Sequence, residues 1–135
     1  MSSQKARRIT EKDLIQISAR KKRTAPFSAP TAPDLINHTI HYADGKGFVK
    51  LLINFQPMYE KDGVTLILQM QRADGSDGNT WYLDHFITAD EAAAHEIVME
   101  ITTSIFNPAN YAAVSITYRP TQEQPSLPLK LTLAN

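Results

Sequence analysis

The segment Thr88–Pro108, TADEAAAHEIVMEITTSIFNP, decides how this 135-residue chain is arranged. Thr88 stands three residues before Glu91, the spacing of a capping box, in which a threonine and a glutamate satisfy each other's free backbone N–H groups at a helix start. Asp90 and Glu91 suit the positive end of the helix dipole. Ala94, Ile97, Val98, Ile101 and Ile105 then recur at helical spacing, and Asn107-Pro108 is a stop signal. The pattern predicts one long helix running from the Thr88 cap to Asn107. Its apolar stripe needs a dry sheet face to cover.

Working outward, that face is visible on both sides of the segment. In FVKLLINFQ, Val49, Leu51, Ile53 and Phe55 share one face, opposite Lys50, Asn54 and Gln56. In VTLILQMQR, Val64, Leu66, Leu68 and Met70 share one, opposite Thr65, Gln69 and Gln71. LINHTIHYA and TWYLDHFI are the other upstream strands. Asp44-Gly45, Asp62-Gly63, Asp74-Gly75 and Asp77-Gly78 punctuate the region, and Asp-Gly is a hairpin signal because glycine accepts a positive φ. An antiparallel meander is predicted, with one dry and one polar face. Downstream, YAAVSITYR places Ala112, Val114, Ile116 and Tyr118 together, and PLKLTLA follows with Leu127, Leu129, Leu131 and Leu133 on one side. The intervening PTQEQPSLP is too long and stiff for a tight hairpin, which puts the last strand at an edge or against another subunit. The fold class expected is α+β: an antiparallel sheet of five to six strands with one long helix packed on one face, forming a single domain over 35–135.

A basic N-terminal arm precedes this body. Residues 1–25 hold eight cations and two acids, a balance of +6, while 26–135 hold six cations and twelve acids, a balance of −6. Such asymmetry marks an interaction tail. Thr10 and Asp13 form a capping-box variant, and Ile9 and Leu14 stand at the spacing of a hydrophobic staple, so a short helix over about 11–22 is expected. Alone in water a helix of that length is marginal and needs a partner surface. Residues 26–34, with Pro26, Pro30 and Pro33, read as a semi-stiff extended linker.

The chain has no cysteine, which excludes disulfides, thiol nucleophiles and thiolate metal sites. No apolar run approaches the roughly 20 residues of a membrane helix, and the first residues lack the apolar core of a secretory signal. A soluble, cytoplasmic protein is expected. His38 and His41 point to opposite faces of one strand, as do Asp84 and His85, which is poor spacing for shared ligation. Glu91 and His95 share a helix face and read as an exposed pair. ADGSDGN (73–79) fails as a calcium loop, since counted from Asp74 the fifth position is Gly78 and the twelfth His85. There is no HExxH, GxSxG or phosphate loop. The expectation is a protein that is not an enzyme and uses no cofactor or metal.

What remains is binding. A +6 arm releases counterions from phosphates, so Arg7, Arg8, Lys12, Arg20, Lys21, Lys22 and Arg23 are the expected contacts to nucleic acid. Lys50, Trp81 and Tyr82 on the sheet are candidate backbone and stacking groups for a single strand, although Trp81 and Tyr82 face oppositely and one of them is expected in the core. The alternative is a protein-interaction role, as an assembly subunit or inhibitor whose arm docks on an acidic protein surface. In either case a homo-oligomer or larger assembly is expected. Over about 35–106 the order of meander and helix resembles that of single-stranded-DNA-binding transcriptional coactivators and Whirly-type folds. No motif residue accompanies that order, and fold order alone does not imply function.

Overall fold

A computed structural model describes residues 25–135. The helix expected over about 11–22 and the cations Arg7, Arg8, Lys12, Arg20, Lys21, Lys22 and Arg23 lie outside those residues.

The predicted long helix is the main correction. The capping box forms: Thr88 Oγ1 accepts from the Glu91 N–H, and the Glu91 side chain accepts from the Thr88 N–H. But the helix, α1, covers only Ala89–Ala94. His95 then turns left-handed at φ 56°, and Glu96–Thr102 runs on as a strand. Residues 89–94 are rich in alanine, the strongest helix former. Beyond them Ile97, Val98, Ile101 and Thr102 are β-branched and prefer strands. Ile97 and Met99 are buried whereas Val98 and Glu100 are exposed, a period of two that coexists with the helical spacing of Ile97, Val98 and Ile101. The available partner strand selects between the two periods.

The α+β sheet-and-helix class and the meander therefore give way to a mainly β protein with two sheets. In chain order the strands are β1 (Thr39–His41), β2 (Phe48–Asn54), β3 (Gly63–Gln71), β4 (Asp77–Phe86), β5 (Glu96–Thr102), β6 (Ala113–Pro120) and β7 (Leu129–Ala134). One sheet has the order β1-β7-β6-β3-β4; the other is the pair β2-β5. The sheets are not wholly antiparallel, since β1 runs parallel to β7. The last strand is not at an edge: β7 lies between β6 and β1. Without the long helix and the continuous meander, the resemblance in element order to the single-stranded-DNA-binding folds falls away.

The alternating faces hold. Val49, Leu51 and Ile53 of β2 and Ile97 and Met99 of β5 meet Val64, Leu66, Leu68 and Met70 of β3, Val114, Ile116 and Tyr118 of β6, and Leu131 and Leu133 of β7 in one core. Between the sheets Phe27, Phe55 and Tyr118 form an aromatic cluster, with ring centroids 5.0 Å apart for Phe27–Phe55 and 5.6 Å for Phe55–Tyr118. The proline-rich stretch, expected as a spacer, is stitched to the body at two points. Phe27 and Pro30 are buried, Phe27 O accepts from the Leu127 N–H at 2.9 Å, and Thr31 exchanges two backbone hydrogen bonds with Leu52. The phenyl ring of Phe27 gives this stretch a reason to fold back that its prolines do not.

Of the four Asp-Gly pairs, Asp74-Gly75 turns the β3–β4 hairpin. The Gly75 N–H bonds Arg72 O and Gly75 sits at φ 88°, where a side chain is strained. Asp74 Oδ1 accepts from Ser76 Oγ at 2.6 Å and from the Ser76 N–H at 2.9 Å. The Ser76 hydroxyl, then its backbone N–H, hold the Asp74 carboxyl below its ordinary value.

Candidate functional site

Strand β4 stands out. It pairs with β3 on one side and has no strand on the other, and at ten residues it is the longest in the molecule among the described residues. Four of its large apolar side chains are exposed: Trp81 by 45%, Tyr82 by 69%, Leu83 by 45% and Phe86 by 71%. Isolated exposed apolar residues are ordinary; four on one open strand, two on each face, are not isolated.

The register fixes which way each group points. Leu68 stands opposite Trp81, Leu66 opposite Leu83 and Val64 opposite His85, so Trp81, Leu83 and His85 lie on the core side of the sheet. Tyr82, Asp84 and Phe86 lie on the outer side. The expectation that either Trp81 or Tyr82 is core is therefore incorrect. The sheet does turn Trp81 inward, but the small β2-β5 sheet leaves it half uncovered.

Backbone directions follow from the end of the strand. Ile87 exchanges hydrogen bonds with the loop before β3, its N–H to Asp62 O at 2.9 Å and its carbonyl from the Lys61 N–H at 2.8 Å. Along a strand these groups alternate in side. Leu83 and His85 therefore bond toward β3, as does Trp81. Thr80, Tyr82, Asp84 and Phe86 present their N–H and C=O groups to the open edge. An open row of this kind is a template for another strand.

The two ends of β4 are held firmly. At its start Gly78 lies against Tyr111, where a β-carbon would come within 2.2 Å of the ring. Nearby Thr80 Oγ1 donates to Gln69 Oε1, and Gln69 Nε2 donates to Gly78 O at 3.1 Å. Toward the other end Thr65 Oγ1 donates to Asp84 Oδ1 at 2.8 Å, beside a groove of about 520 Å³ lined by Gly63, Asp84, Phe86, Arg119 and Thr121. His85 Nε2 lies 2.7 Å from Glu91 Oε1, which also accepts from the Thr88 N–H at 2.9 Å. Glu91 thus pairs with His85 and not with His95, because the helix ends before the expected i,i+4 face exists.

Burial pushes the Glu91 carboxyl up, but the Thr88 N–H and His85 together outweigh it and hold the group below its ordinary 4.5. A carboxyl depressed on folding stabilises the fold above its unfolded pKa, and that contribution is lost as pH falls through the folded value. Urea midpoints should therefore drop as pH is lowered below about 4.5. Glu91→Gln should be less stable at pH 7 and show a flatter acid profile. Parallel profiles for the two proteins would refute this coupling.

The residues expected to act together on nucleic acid are not brought together. Lys50 is exposed on the outer side of β2, opposite Glu100 across the small sheet, whereas Trp81 and Tyr82 are on β4 of the large one. The amide-rich face is likewise divided. Asn54 Nδ2 donates to Glu96 Oε2 at 3.1 Å on one sheet, and Gln69 is engaged by β4 on the other. Leu83 and the open backbone row are not legible in the sequence, because strand order is a non-local property. The nearest signal was the bare run of apolar residues from Trp81 to Leu83. Among the described residues no group of three or more His, Asp or Glu is placed to hold a metal ion. Among them, too, no helix is long and apolar enough to cross a membrane. No family model, curated protein or solved structure matches this chain.

Proposed function

We propose that this chain is a cytoplasmic, non-enzymatic protein-interaction module that binds by strand addition at β4. The observation that carries the proposal is the open edge from Thr80 to Phe86, with four exposed apolar side chains flanking free backbone groups. In strand addition the main chain supplies affinity and alternate side chains supply specificity. The two faces of β4 offer different side-chain rows: Trp81 and Leu83 on one, Tyr82 and Phe86 on the other. The −6 body and +6 arm add a steering role, since the arm attracts an acidic surface and speeds encounter.

The charge of the arm also supports a second reading, contact with nucleic acid through Arg7, Arg8, Lys12, Arg20, Lys21, Lys22 and Arg23. One variant separates the two. Tyr82→Lys places a charge at the open edge, where it opposes strand addition. Partner proteins crosslinked to the wild type should be lost at least tenfold with this variant, and the amides of residues 80–86 should exchange more slowly in the complex. Equal crosslinking by both proteins would overturn the edge as the site. Salt-sensitive binding of a mixed-sequence single strand or duplex, unchanged by Tyr82→Lys and abolished by deleting residues 1–24, would favour the second reading.

A further inference from the structure

Resting on the edge-binding reading, we infer that the strand added to β4 is β4 of a second copy, paired antiparallel about a two-fold axis at Tyr82. The edges of the molecule are unequally protected. Natural edge strands are kept from pairing by short length, charge, proline or bulges. In the large sheet the opposite edge, β1, has only three residues. In the small sheet β5 carries two carboxylates on one face, Glu96 and Glu100. Thr80–Phe86 has no proline or lysine and one carboxylate, Asp84, and the irregular register of the hairpin is confined to Gln69–Gln71, beyond this stretch. The longest edge is the one left unguarded.

Its chemistry is self-complementary in one register. With Tyr82 opposite Tyr82, the outward-pointing groups of Thr80, Tyr82 and Asp84 meet those of Asp84, Tyr82 and Thr80 in the second copy. Two tyrosine rings then pair across the axis on the outer face, and threonine stands opposite aspartate on either side. On the core side Trp81 stands opposite Leu83, twice, in the non-hydrogen-bonded position where side chains are closest. Moving the axis to Leu83 sets Trp81 against His85 and Tyr82 against Asp84. Moving it to Trp81 sets Leu83 against Asn79. Centring it on Asp84 opposes two carboxylates, which is destabilising. The Tyr82 register alone matches apolar with apolar on both faces without opposing two carboxylates; in it Phe86 stands opposite Gly78. From their exposures, the four apolar side chains offer roughly 500 Å² per copy, a large part of the ~800 Å² per partner in a standard interface.

The absence of cysteine makes the register directly testable. In a hydrogen-bonded antiparallel pair the Cα atoms are about 5.5 Å apart, within disulfide range. The full chain carrying Tyr82→Cys should crosslink to itself under mild oxidation, and the chain carrying Asp84→Cys, whose opposite number is Thr80, should not. By sedimentation the wild type should show a concentration-dependent mass between 15.1 kDa and twice that value. Tyr82→Lys and Tyr82→Glu should each abolish the dimer while keeping native circular dichroism, and mixing the two should restore it. A wild type that stays at 15.1 kDa at all concentrations overturns the inference. So does self-crosslinking through Asp84→Cys with none through Tyr82→Cys. A monomer whose foreign-protein crosslinks are still lost in Tyr82→Lys rejects the second copy but retains the edge as a binding site. Loss of neither overturns both.

Discussion

Tyr118→Ala is expected to lower the unfolding free energy by about 3–5 kcal/mol, the range for removing a large aromatic from a packed core. Tyr118 has no exposure to solvent and packs beside the Phe27–Phe55 pair, at centroid distances of 6.4 and 5.6 Å from the two rings. It is the point where three parts of the chain meet. Its ring comes from β6 of the large sheet, Phe55 follows β2 of the small sheet, and Phe27 comes from the stretch that enters from the N-terminal arm. Its hydroxyl donates to Ser28 O at 2.8 Å and lies 3.3 Å from Asn54 O. Truncation removes the ring contacts and those hydrogen bonds together, and it loosens the root of the arm as well as the joint between the sheets. Tyr118→Phe keeps the ring and should cost only about 1 kcal/mol, the usual net worth of a hydrogen bond. Urea unfolding of the three proteins checks the pair. A cost below about 1 kcal/mol for Tyr118→Ala would mean that the aromatic cluster does not join the layers.

The same residue shows what was legible in the sequence. The inward placement of Tyr118 beside Val114 and Ile116 follows from simple alternation, as do the buried faces of β2 and β3. Alternation is a local property, enforced by the geometry of every strand. Which strand lies beside which is not local. Nothing in FVKLLINFQ states that it leaves the large sheet to pair with residues 96–102. The open edge of β4 is a consequence of that strand order, so the candidate site was only half visible. Trp81 and Tyr82 are legible as aromatics on opposite faces, but Leu83, Phe86 and the free backbone groups acquire meaning only once β4 is known to be last in its sheet. Lys50 would stand with them only on one continuous sheet face, and the split into two sheets separates it. The turn of Asp74-Gly75, by contrast, was legible because its cause lies within five residues.

The segment 96–102 offers the sharpest test of the strand over the helix. Leu52 gives its N–H and C=O to Thr31, so Val49, Leu51 and Ile53 bond toward β5, where their opposite numbers are Ile101, Met99 and Ile97. The Thr103 N–H to Gly47 O bond, 2.9 Å, continues the same alternation. Met99 therefore uses its N–H in the ladder, whereas the Val98 N–H points away from β2. Met99→Pro removes a ladder bond from a buried position and should cost about 3 kcal/mol or more. Val98→Pro sits where an edge strand tolerates proline and should cost markedly less. In a helix spanning these residues the two substitutions would be equally disruptive, since each interior N–H is bonded to the preceding turn. Urea unfolding of both variants decides between the structures. A large difference identifies the strand and its direction, and equal heavy losses would restore the long helix that the capped, apolar stripe after Thr88 first implies.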